Sequence, residues 1–492
     1  MAAWHPRPED MHRVFEEQNP WHRGACVPTI LAPPVERPLA QHMWRAVLAR
    51  ESRRFQLILG PRRVGKTTVM YQTVRHLLDA GLAPHRIWWL RLDHPLLLRE
   101  SLDDLARAVI RTSGATVADP AVLLMDEIVY AKDWDLWLKT FYDDLWPVRV
   151  LATSSATAAL RDRHLESGVG RWSDQYLAPY LFTEYLDLAG VPADLPTGQH
   201  LAETLAHLPR HLPEAAAVER LRRRFLLVGG FPELLVTMPV DDLDNRDQML
   251  RSQQVLRGDA VERAIYKDIP QSLGVDNPMM LERLLYVLAS QIAGVLSPAS
   301  ICGELGGLSQ PTFDRYLSYL ERAFLVFTLN NYSGKETSVQ RRGRKLYFLD
   351  GAIRNAALQR GLAPLDQPDE LGLLIENLVA ASLHSLAVHS GVRLFHWRDG
   401  KHEVDLVLDH PQAPLAFEVG MSADHSRKGL IKLVERYPRF AGRAYLISPR
   451  ATVMAPGEHP SGIGTIPLDT FLIAVGRQGE AAMMQRLPTV DQ

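Results

Sequence analysis

Residues 55–67 read FQLILGPRRVGKT, and this stretch decides the fold of the first third of the chain. The run Phe55–Leu59 is apolar and is stopped by Gly60-Pro61, which is typical of a buried strand. Gly60 to Thr67 matches the pattern G-x-x-x-x-G-K-[ST], and a helical pattern begins at Thr68. Because strand, glycine-rich loop and helix follow in the order that this pattern requires, the stretch predicts a phosphate-binding loop, or P-loop.

The residue types of this loop predict a role for each part of it. Glycines let the loop wrap so that backbone N–H groups and the helix N-terminus face the phosphates. Lys66 is expected to reach the β and γ oxygens of ATP, and Thr67 to ligate Mg²⁺. The predicted nucleotide-binding residues are Gly60, Pro61, Arg62, Arg63, Val64, Gly65, Lys66, Thr67 and Thr68. ATP and Mg²⁺ are therefore the expected cofactors.

A second apolar strand, predicted over residues 121–125, ends in two acids, Asp126 and Glu127. Ligands bind at the carboxyl ends of strands in open α/β sheets, so these acids are expected beside the P-loop. Asp126 is predicted to hold Mg²⁺ through water, and Glu127 to polarise the attacking water, which indicates hydrolysis rather than nucleotide binding alone.

Two further residues are catalytic candidates. The strand predicted over residues 148–153 leads into Ser154, whose hydroxyl is suited to sensing the γ-phosphate or the water, although a helix N-cap is an equal interpretation. Arg171 lies at a suitable distance downstream for an arginine finger, in cis or on the nucleotide of a neighbouring subunit. A surface salt bridge is the alternative role for Arg171.

Working outward, apolar runs at 86–92, 121–125 and 148–153 alternate with helical stretches, which predicts a mostly parallel sheet. Three helices followed by two strands between residues 277 and 350 are the order of a winged helix-turn-helix. The predicted domains are an extended N-terminal arm (1–38), a P-loop core (39–180), a helical lid or linker (181–270), the winged helix (271–350) and a second α/β domain (351–492).

Composition excludes several classes of protein. The formal net charge is −2, so no global charge excess indicates nucleic acid or an anionic membrane as a partner. The cysteines, Cys26 and Cys302, form no C-x-x-C pair, which argues against a disulfide framework or a cysteine zinc site. We read no signal peptide and no membrane span, and we expect a cytoplasmic protein.

A pair of acids in the C-terminal domain suggests a second metal site. Asp405 and Glu418 lie on strands predicted on either side of the turn-like residues 409–414, so they face each other in a hairpin. Carboxylates about 5 Å apart repel, and such a pair persists most readily around a cation. Asp405 and Glu418 are predicted to ligate a metal, with Glu376 as a third oxygen donor, and oxygen ligands favour Mg²⁺. A solvated pair of strand-end acids is the alternative.

The chain resembles prokaryotic AAA+-type P-loop ATPases that carry a C-terminal DUF4143 domain. The resemblance implies an ATPase core, a winged-helix module and a C-terminal restriction-endonuclease-like fold of the PD-(D/E)XK type, within an overall α/β fold. The residues that carry the resemblance are Asn19-Pro20-Trp21, the Gly60 to Thr67 loop, Asp126-Glu127, Thr153-Ser154-Ser155, Gly170-Arg171, Gly229-Gly230-Phe231-Pro232-Glu233, residues 345–350 and Glu403-Val404-Asp405.

The nuclease pattern is incomplete. In the resembled pattern, the second acid is followed by an apolar residue and then by a lysine that helps to activate water. Here Glu418-Val419 is followed by Gly420, and Lys428 on the next helix is a substitute candidate. Because the lysine is replaced by Gly420, the simpler expectation is a domain that has kept its fold and lost cleavage.

Besides an active nuclease, which predicts Mg²⁺-dependent cleavage that Asp405→Ala removes, two functions stay open for the chain. The first is an ATPase linked to nucleic acid, with DNA contacted by Arg315, Arg322 and the basic residues 341–345 of the winged helix. The second is an ATP-gated switch or scaffold whose terminal domains bind protein. Charge reversal at Arg342 and Arg344 should abolish DNA retention under the first hypothesis only. A homo-oligomer is an expectation under both, because AAA+-like sites are often completed between subunits.

Overall fold

The computed structural model describes residues 7–49, 53–155, 170–236, 245–334 and 343–486. The chain divides into two compact units, one comprising Met1–Leu177 with Met484–Gln492 and the other Ala178–Met483. The P-loop lies in the first unit, and the predicted winged helix and C-terminal domain lie in the second.

The first unit is built on a five-stranded parallel sheet in the order β2-β3-β4-β1-β5. Its strands are β1 (Phe55–Leu59), β2 (Ile87–Arg91), β3 (Ala121–Asp126), β4 (Val148–Ser154) and β5 (Trp172–Tyr176). The predicted strands are confirmed for β1 to β4, whereas β5 was not predicted. Since β4 lies between β1 and β3, the ends of these three strands bring the P-loop, the β4 hydroxyls and the two acids to one edge of the sheet.

Helices surround this sheet. They span Pro8–Gln18, Trp21–Gly24, Pro38–Leu48, Lys66–Asp79, Leu102–Ser113 and Trp134–Asp143, with short 3-10 turns at Pro84–Arg86, Leu97–Arg99 and Ile128–Tyr130. Several of them bury an apolar stripe, as helices packed on a sheet do. The sheet with its surrounding helices has the α/β fold of a P-loop NTPase.

The N-terminal segment is not the extended arm that its proline-rich sequence predicts. It forms helices, and its Asn19 side chain pairs with the backbone of edge strand β2, donating to Trp89 O at 3.1 Å and accepting from Trp89 N at 2.6 Å. The Trp21 indole donates to Ile87 O at 3.0 Å. The segment therefore covers backbone groups that an edge strand otherwise exposes.

The second unit begins with helices and has a hairpin and a second sheet further along. The helices span Phe182–Leu188, Leu201–Ala206, Ala215–Val228, Pro232–Val236, Arg246–Leu256, Ile269–Leu273, Pro278–Ser290, Pro298–Glu304, Gln310–Arg322, Gly351–Leu358, Ala363–Asp366, Pro368–Ser390, Lys428–Arg436 and Leu468–Arg486. Residues Arg257–Glu262 and Ala264–Asp268 are π-helical, and 3-10 turns occur at Pro438–Phe440 and Pro456–Glu458.

The basic stretch 220–224 is only partly the solvated helix face that its charge predicts. Arg222 and Arg224 are 4% and 2% exposed, while Arg220 and Arg223 are exposed. The Arg222 guanidinium forms an ion pair with Asp469 at 2.5 Å. Burial with a carboxylate partner explains why this cation leaves the surface.

Gly229 and Gly230, which follow the helix Ala215–Val228, form a closely packed junction with two other segments. Gly230 N donates to the Asp350 carboxylate at 2.7 Å, and Gly230 O accepts from Tyr180 N at 2.6 Å. A Cβ added at Gly230 would lie 2.2 Å from Tyr180 O, so only glycine fits this close approach. The junction holds the start of this unit against the loop that precedes the helix Gly351–Leu358.

The predicted three helices and hairpin are observed in the predicted order. After the helices Pro278–Ser290, Pro298–Glu304 and Gln310–Arg322, strand β6 (Val326–Leu329) pairs antiparallel with β7 (Lys345–Phe348). The tip between these strands includes residues 335–342, which lie outside the described residues.

The C-terminal sheet is mixed and has the order β12-β11-β10-β9-β8. Its strands are β8 (Arg393–Asp399), β9 (His402–Asp409), β10 (Leu415–Val419), β11 (Ala444–Ser448) and β12 (Gly464–Pro467). The β9–β10 hairpin pairs Leu408 with Leu415 and Leu406 with Phe417. This register is the predicted one, and its next position places Asp405 opposite Glu418.

Helix Pro368–Ser390 is the one described helix that has the length and apolar composition of a membrane span. Its apolar window is 56% buried within the chain, and it packs against β7, β8 and β9. Buried core helices meet the same criteria of length and composition, and this helix carries Glu376 and Asn377 toward β7.

Candidate nucleotide-binding and hydrolysis site

The P-loop takes the conformation that its glycines permit. Gly65 caps the helix Lys66–Asp79 with φ +88°, in the left-handed region that favours glycine. Gly60 approaches Leu177 so closely that an added Cβ would lie 2.1 Å from the Leu177 carbonyl oxygen. The loop therefore turns sharply from the end of β1 into the N-terminus of a helix of 14 residues, where phosphates are bound by backbone N–H groups.

Lys66 and Arg37 donate hydrogen bonds to backbone carbonyl oxygens of this loop. The Lys66 ammonium is 6% exposed and donates to the carbonyl oxygens of Gly60 and Pro61 at 3.0 and 2.8 Å. The buried Arg37 guanidinium, just before the helix Pro38–Leu48, donates to Val64 O at 2.9 Å. The lysine thus lies beside the loop as the pattern predicts, whereas the support from Arg37 was not predicted because it comes from a separate segment.

The predicted Mg²⁺ ligands, Thr67 and Asp126, are in direct contact. Thr67 Oγ1 donates to Asp126 Oδ2 at 2.8 Å, and Thr153 Oγ1 donates to Asp126 Oδ1 at 2.6 Å. The two acceptor oxygens of this buried carboxylate are therefore oriented by one hydroxyl from the P-loop helix and one from β4. From the sequence, Thr153 stands out only as part of the hydroxyl triplet 153–155.

Glu127 is oriented by the same strand end. Its backbone N–H donates to Thr153 Oγ1 at 2.9 Å, and its Oε2 accepts from the Ser155 N–H and hydroxyl at 3.2 and 3.0 Å. Glu127 also has φ +55°, an uncommon conformation for a residue other than glycine and one that clusters at functional sites. The Thr153 and Ser155 hydroxyls, on either side of the predicted candidate Ser154, both contact these acids.

The alternation of side chains along a strand brings these two hydroxyls together. Residues two apart in extended backbone face the same side of a sheet, so Thr153, in β4, and Ser155, just after its last residue, point toward Asp126 and Glu127 together. Ser154, which lies between them in the sequence, is fully buried. The two-residue period of a strand alone predicts that Thr153 and Ser155 face one side of the sheet and Ser154 the other.

Arg171 lies at the opposite end of the sheet from the P-loop. Its carbonyl oxygen accepts from Phe55 N, at the start of β1, and β1 extends for roughly 13 Å before the loop begins. The guanidinium makes a bidentate pair with Asp143 at 2.8 and 2.9 Å. This geometry does not support a finger acting in cis and agrees with the salt-bridge alternative, while a role in a neighbouring subunit stays a prediction.

The donors at this edge of the sheet suit Mg²⁺. The Thr67 hydroxyl and the Asp126 carboxylate supply oxygens only, and their 2.8 Å contact shows that both can reach one small cation. Mg²⁺ prefers oxygen ligands and is usually bound by one or two protein groups together with water and substrate phosphates. These residues therefore fit the metal that the P-loop implies.

The Asp126 carboxyl predicts a pH dependence. Burial raises its pKa from 3.8 to about 6, although hydrogen bonds from Thr153 and Thr67 lower it. Since Mg²⁺ binds the ionised form, protons compete below about pH 6, and the apparent Mg²⁺ affinity should fall about tenfold per pH unit there. The Mg²⁺ dependence of ATP turnover at about pH 5, 6 and 7 measures this effect. An unchanged half-saturating Mg²⁺ concentration would contradict the prediction.

The raised pKa of Asp126 also makes the free energy of unfolding depend on pH. The folded-state pKa lies above the unfolded value, so between about pH 4 and pH 6 the folded chain binds more protons than the unfolded chain. The contribution of Asp126 to stability is therefore lost as the pH rises through that window in the absence of Mg²⁺. Asp126→Asn is the matched control, because it removes this titration.

A second cluster of charged side chains lies in the C-terminal part of the second unit. The Lys345 ammonium, on β7, lies 2.7 Å from Asp405 Oδ1, 2.8 Å from Glu376 Oε1 and 3.0 Å from Glu403 Oε1. The lysine side chain is 2% exposed. The basic pattern 341–345 predicts that Lys345 contacts DNA, but carboxylates from three separate positions surround its ammonium instead.

Glu418 lies at the edge of this cluster. Burial and the charge of Asp405 raise the pKa of Glu418 to about 8, and burial and Asp405 raise the pKa of Glu376 to about 7. His425 Nε2 lies 3.6 Å from Glu418 Oε1, and this contact raises the pKa of His425.

His425 also fills the space beside Gly420, where the resembled pattern has its lysine. A Cβ added at Gly420 would lie 2.4 Å from the His425 ring, so a longer side chain at that position would displace the histidine. Lys428, the substitute candidate, is exposed at the start of its helix. The lysine that reaches the acids is Lys345.

The C-terminal acids do not fit a metal site in the described structure. Among the described residues, no group of three or more His, Cys, Asp or Glu side chains is arranged to hold a metal ion. The Lys345 ammonium lies between Asp405, Glu376 and Glu403, and Asp405 Oδ2 accepts from Val419 N at 2.9 Å. The predicted metal ligation by Asp405 and Glu418 therefore has no support from this arrangement.

The cations predicted to contact nucleic acid differ in their pairing and exposure. Arg344 forms an ion pair with Asp314 at 2.5 Å, and Arg341 and Arg342 lie outside the described residues. Arg315, on the helix Gln310–Arg322, is exposed.

Comparisons with known families agree with this geometry. Residues 52–186 match the AAA domain family, residues 219–363 match a domain of unknown function (DUF8612), and residues 371–470 match a domain of unknown function (DUF4143). The first match contains the P-loop, Asp126 and Glu127. The chain thus contains an AAA domain and, after it, a DUF4143 domain, and the AAA match supports ATPase-type activity in general.

The chain is also similar to curated proteins of no described function. It is 26% identical over 391 residues to an uncharacterised protein of Methanocaldococcus jannaschii, covering 77% of this chain and 78% of that protein. An uncharacterised protein of Haemophilus influenzae is 21% identical, covering 62% of this chain and 69% of that protein.

Among solved structures, the Aeropyrum pernix ORC1 protein in complex with DNA is 13% identical, with a TM-score of 0.30, and the match covers 68% of this chain and 97% of that one. A closed-state Hsp104 structure is 15% identical, with a TM-score of 0.32, and covers 60% and 54%. At these TM-scores the similarity supports no argument about function.

Proposed function

We propose that the first unit binds Mg-ATP and hydrolyses it. The observation that carries this proposal is the contact of Thr67 Oγ1 with Asp126 Oδ2 at 2.8 Å, beside a glutamate held by Ser155. This contact joins a P-loop hydroxyl to the acid at the end of β3, which is the arrangement that Mg-nucleotide binding requires.

In this proposal each side chain has a separate task. Lys66 exchanges its two loop carbonyl contacts for the β and γ oxygens of ATP, where its charge stabilises the transition state. Mg²⁺ supplies charge neutralisation of the phosphates when bound by Thr67 and Asp126. Glu127 accepts a proton from the attacking water, and Ser155 fixes the direction from which its carboxylate approaches.

We further propose that turnover changes the conformation of the second unit, in which the helices and hairpin form a winged helix and the C-terminal sheet has a restriction-endonuclease-like fold. The element order helix, helix, helix, strand, strand supports the first assignment. The helix before β8 and the helix between β10 and β11 support the second. We place the protein in the cytoplasm and expect a homo-oligomer.

A link to nucleic acid is the finer part of the proposal, and Arg315 tests it. We expect double- or single-stranded DNA to raise the Lys66-dependent ATP turnover at fixed low salt, because phosphate contacts are sensitive to salt. Arg315→Glu should remove this stimulation and leave basal turnover unchanged, whereas Arg283→Glu, an exposed arginine on the helix Pro278–Ser290, should leave both unchanged. Turnover that does not respond to DNA would refute the link.

One observation favours the alternative, an ATP-gated switch that binds protein. Two predicted phosphate-binding cations are engaged inside the chain, Arg344 with Asp314 and Lys345 with the C-terminal acids. Lys66-dependent turnover without any response to DNA is the result that this alternative predicts.

A further inference from the structure

Lys345 occupies the place among the C-terminal acids where the sequence pattern predicts a metal ion. Its ammonium is within 3.0 Å of three carboxylate oxygens, those of Asp405, Glu376 and Glu403. A lysine ammonium carries one positive charge and three N–H donors, and here it donates a hydrogen bond to Asp405 Oδ1 and forms ion pairs with Glu376 and Glu403. The almost fully buried ammonium therefore supplies a positive charge at the position between these carboxylates.

The carboxylate oxygens of the surrounding acids also accept hydrogen bonds from other groups. The second oxygen of Asp405 accepts the Val419 N–H at 2.9 Å, and Glu376 Oε1 accepts the Tyr347 hydroxyl at 2.8 Å in addition to the ammonium. Mg²⁺ needs oxygens at about 2.0–2.1 Å in a nearly octahedral arrangement. A divalent cation here would have to displace the Lys345 charge, which repels it at short range.

The lysine and the acids belong to different segments of the chain. Lys345 lies within residues 219–363, which match one domain family, and the three acids lie within residues 371–470, which match another. The Lys345 strand also pairs with β6, so the position of its side chain is set by the hairpin. Neither matched segment contains both the cation and its ligands.

We propose that Lys345 is a built-in counter-ion of this pocket, which takes the place of the divalent cation that a PD-(D/E)XK resemblance implies. The wild-type pocket then binds neither Mg²⁺ nor Mn²⁺, and the lysine joins the hairpin to the C-terminal sheet through charge. This inference does not depend on ATP hydrolysis by the first unit.

Mn²⁺ binding to the full chain tests the proposal. The free Mn²⁺ signal in electron paramagnetic resonance is titrated in an Asp126→Asn background, which removes the P-loop metal ligand. The background chain should show no Mn²⁺ binding that depends on Asp405. Lys345→Met should gain a site with at least about tenfold higher affinity, and adding Asp405→Asn should remove that gain. Lys345→Arg, which keeps the charge, should gain no site.

Two results would overturn the proposal. One is Mn²⁺ binding by the background chain that Asp405→Asn abolishes, since the acids would then hold a metal with Lys345 in place. The other is a Lys345→Met chain that is folded, as judged by circular dichroism and thermal unfolding, and yet binds no more Mn²⁺ than the Lys345→Arg chain. Should Lys345→Met not fold, the background chain compared with its Asp405→Asn variant still decides.

Discussion

Lys66→Ala should reduce ATP turnover by at least about a hundredfold and weaken ATP binding, because it removes the one P-loop ammonium that can contact the β and γ oxygens. The loop itself should persist, since Gly65 still caps the helix Lys66–Asp79 and Arg37 still holds Val64 O. Turnover of ATP and the binding of a fluorescent ATP analogue measure the two effects.

The control for this substitution is Lys139→Ala. Lys139 lies on the helix Trp134–Asp143, whose last residue pairs with Arg171 near the start of β1, away from the P-loop. The control should retain turnover. If the Lys66→Ala chain turned over ATP at the wild-type rate, the hydrolysis would come from another site in the chain or from a contaminating protein.

Glu127→Gln should separate binding from hydrolysis. An amide cannot accept the proton of the attacking water, so we expect turnover to fall by about 10² to 10⁴ while ATP binding stays close to wild type. Mg-ATP should then remain bound for long times. Rapid quench of a single turnover, together with equilibrium binding of ATP, measures both quantities.

The matched control for Glu127→Gln is Glu16→Gln. Glu16 pairs with Arg23 at the protein surface and lies on the N-terminal helix Pro8–Gln18. We expect no change in turnover for the control. If Glu127→Gln lowered ATP affinity and turnover equally, Glu127 would contribute to binding rather than to proton transfer, and the assignment of the general base would be wrong.

The P-loop unit could be predicted to a large extent from local pattern. Strands β1 to β4 are continuous apolar runs bounded by turn residues, which is how strands buried on both faces of a parallel sheet read. The register of the β9–β10 hairpin followed in the same way from the turn at residues 409–414. In these cases the signal lies within a few residues of the element.

Strand β5 was missed because its sequence lacks that signal. Trp172–Tyr176 reads WSDQY, with polar residues at its centre, and in the described part of the chain it stands at the edge of the sheet, paired with β1. An edge strand gains stability from backbone pairing and tolerates polar side chains, so apolar periodicity does not reveal it.

The surroundings of Lys345 could not be predicted because they are made by tertiary contacts. Its partner Asp405 is 60 residues away in sequence, and lysine is almost never fully buried unless it is paired. The local pattern RRGRK therefore favoured a solvent-facing wing. The contacts of Thr153 and Ser155 with the acids could have been predicted, since the strand alternation that places these two hydroxyls on one side was already present in the sequence.

The release of phosphate from ATP by the purified full chain, followed with and without Mg²⁺ and beside Lys66→Ala, is the most direct test of the central claim. We predict steady release that requires Mg²⁺ and is absent from the Lys66→Ala chain. A wild-type chain that binds Mg-ATP and releases no phosphate, alone or with DNA, would contradict the assignment of Glu127 and the claim of hydrolysis.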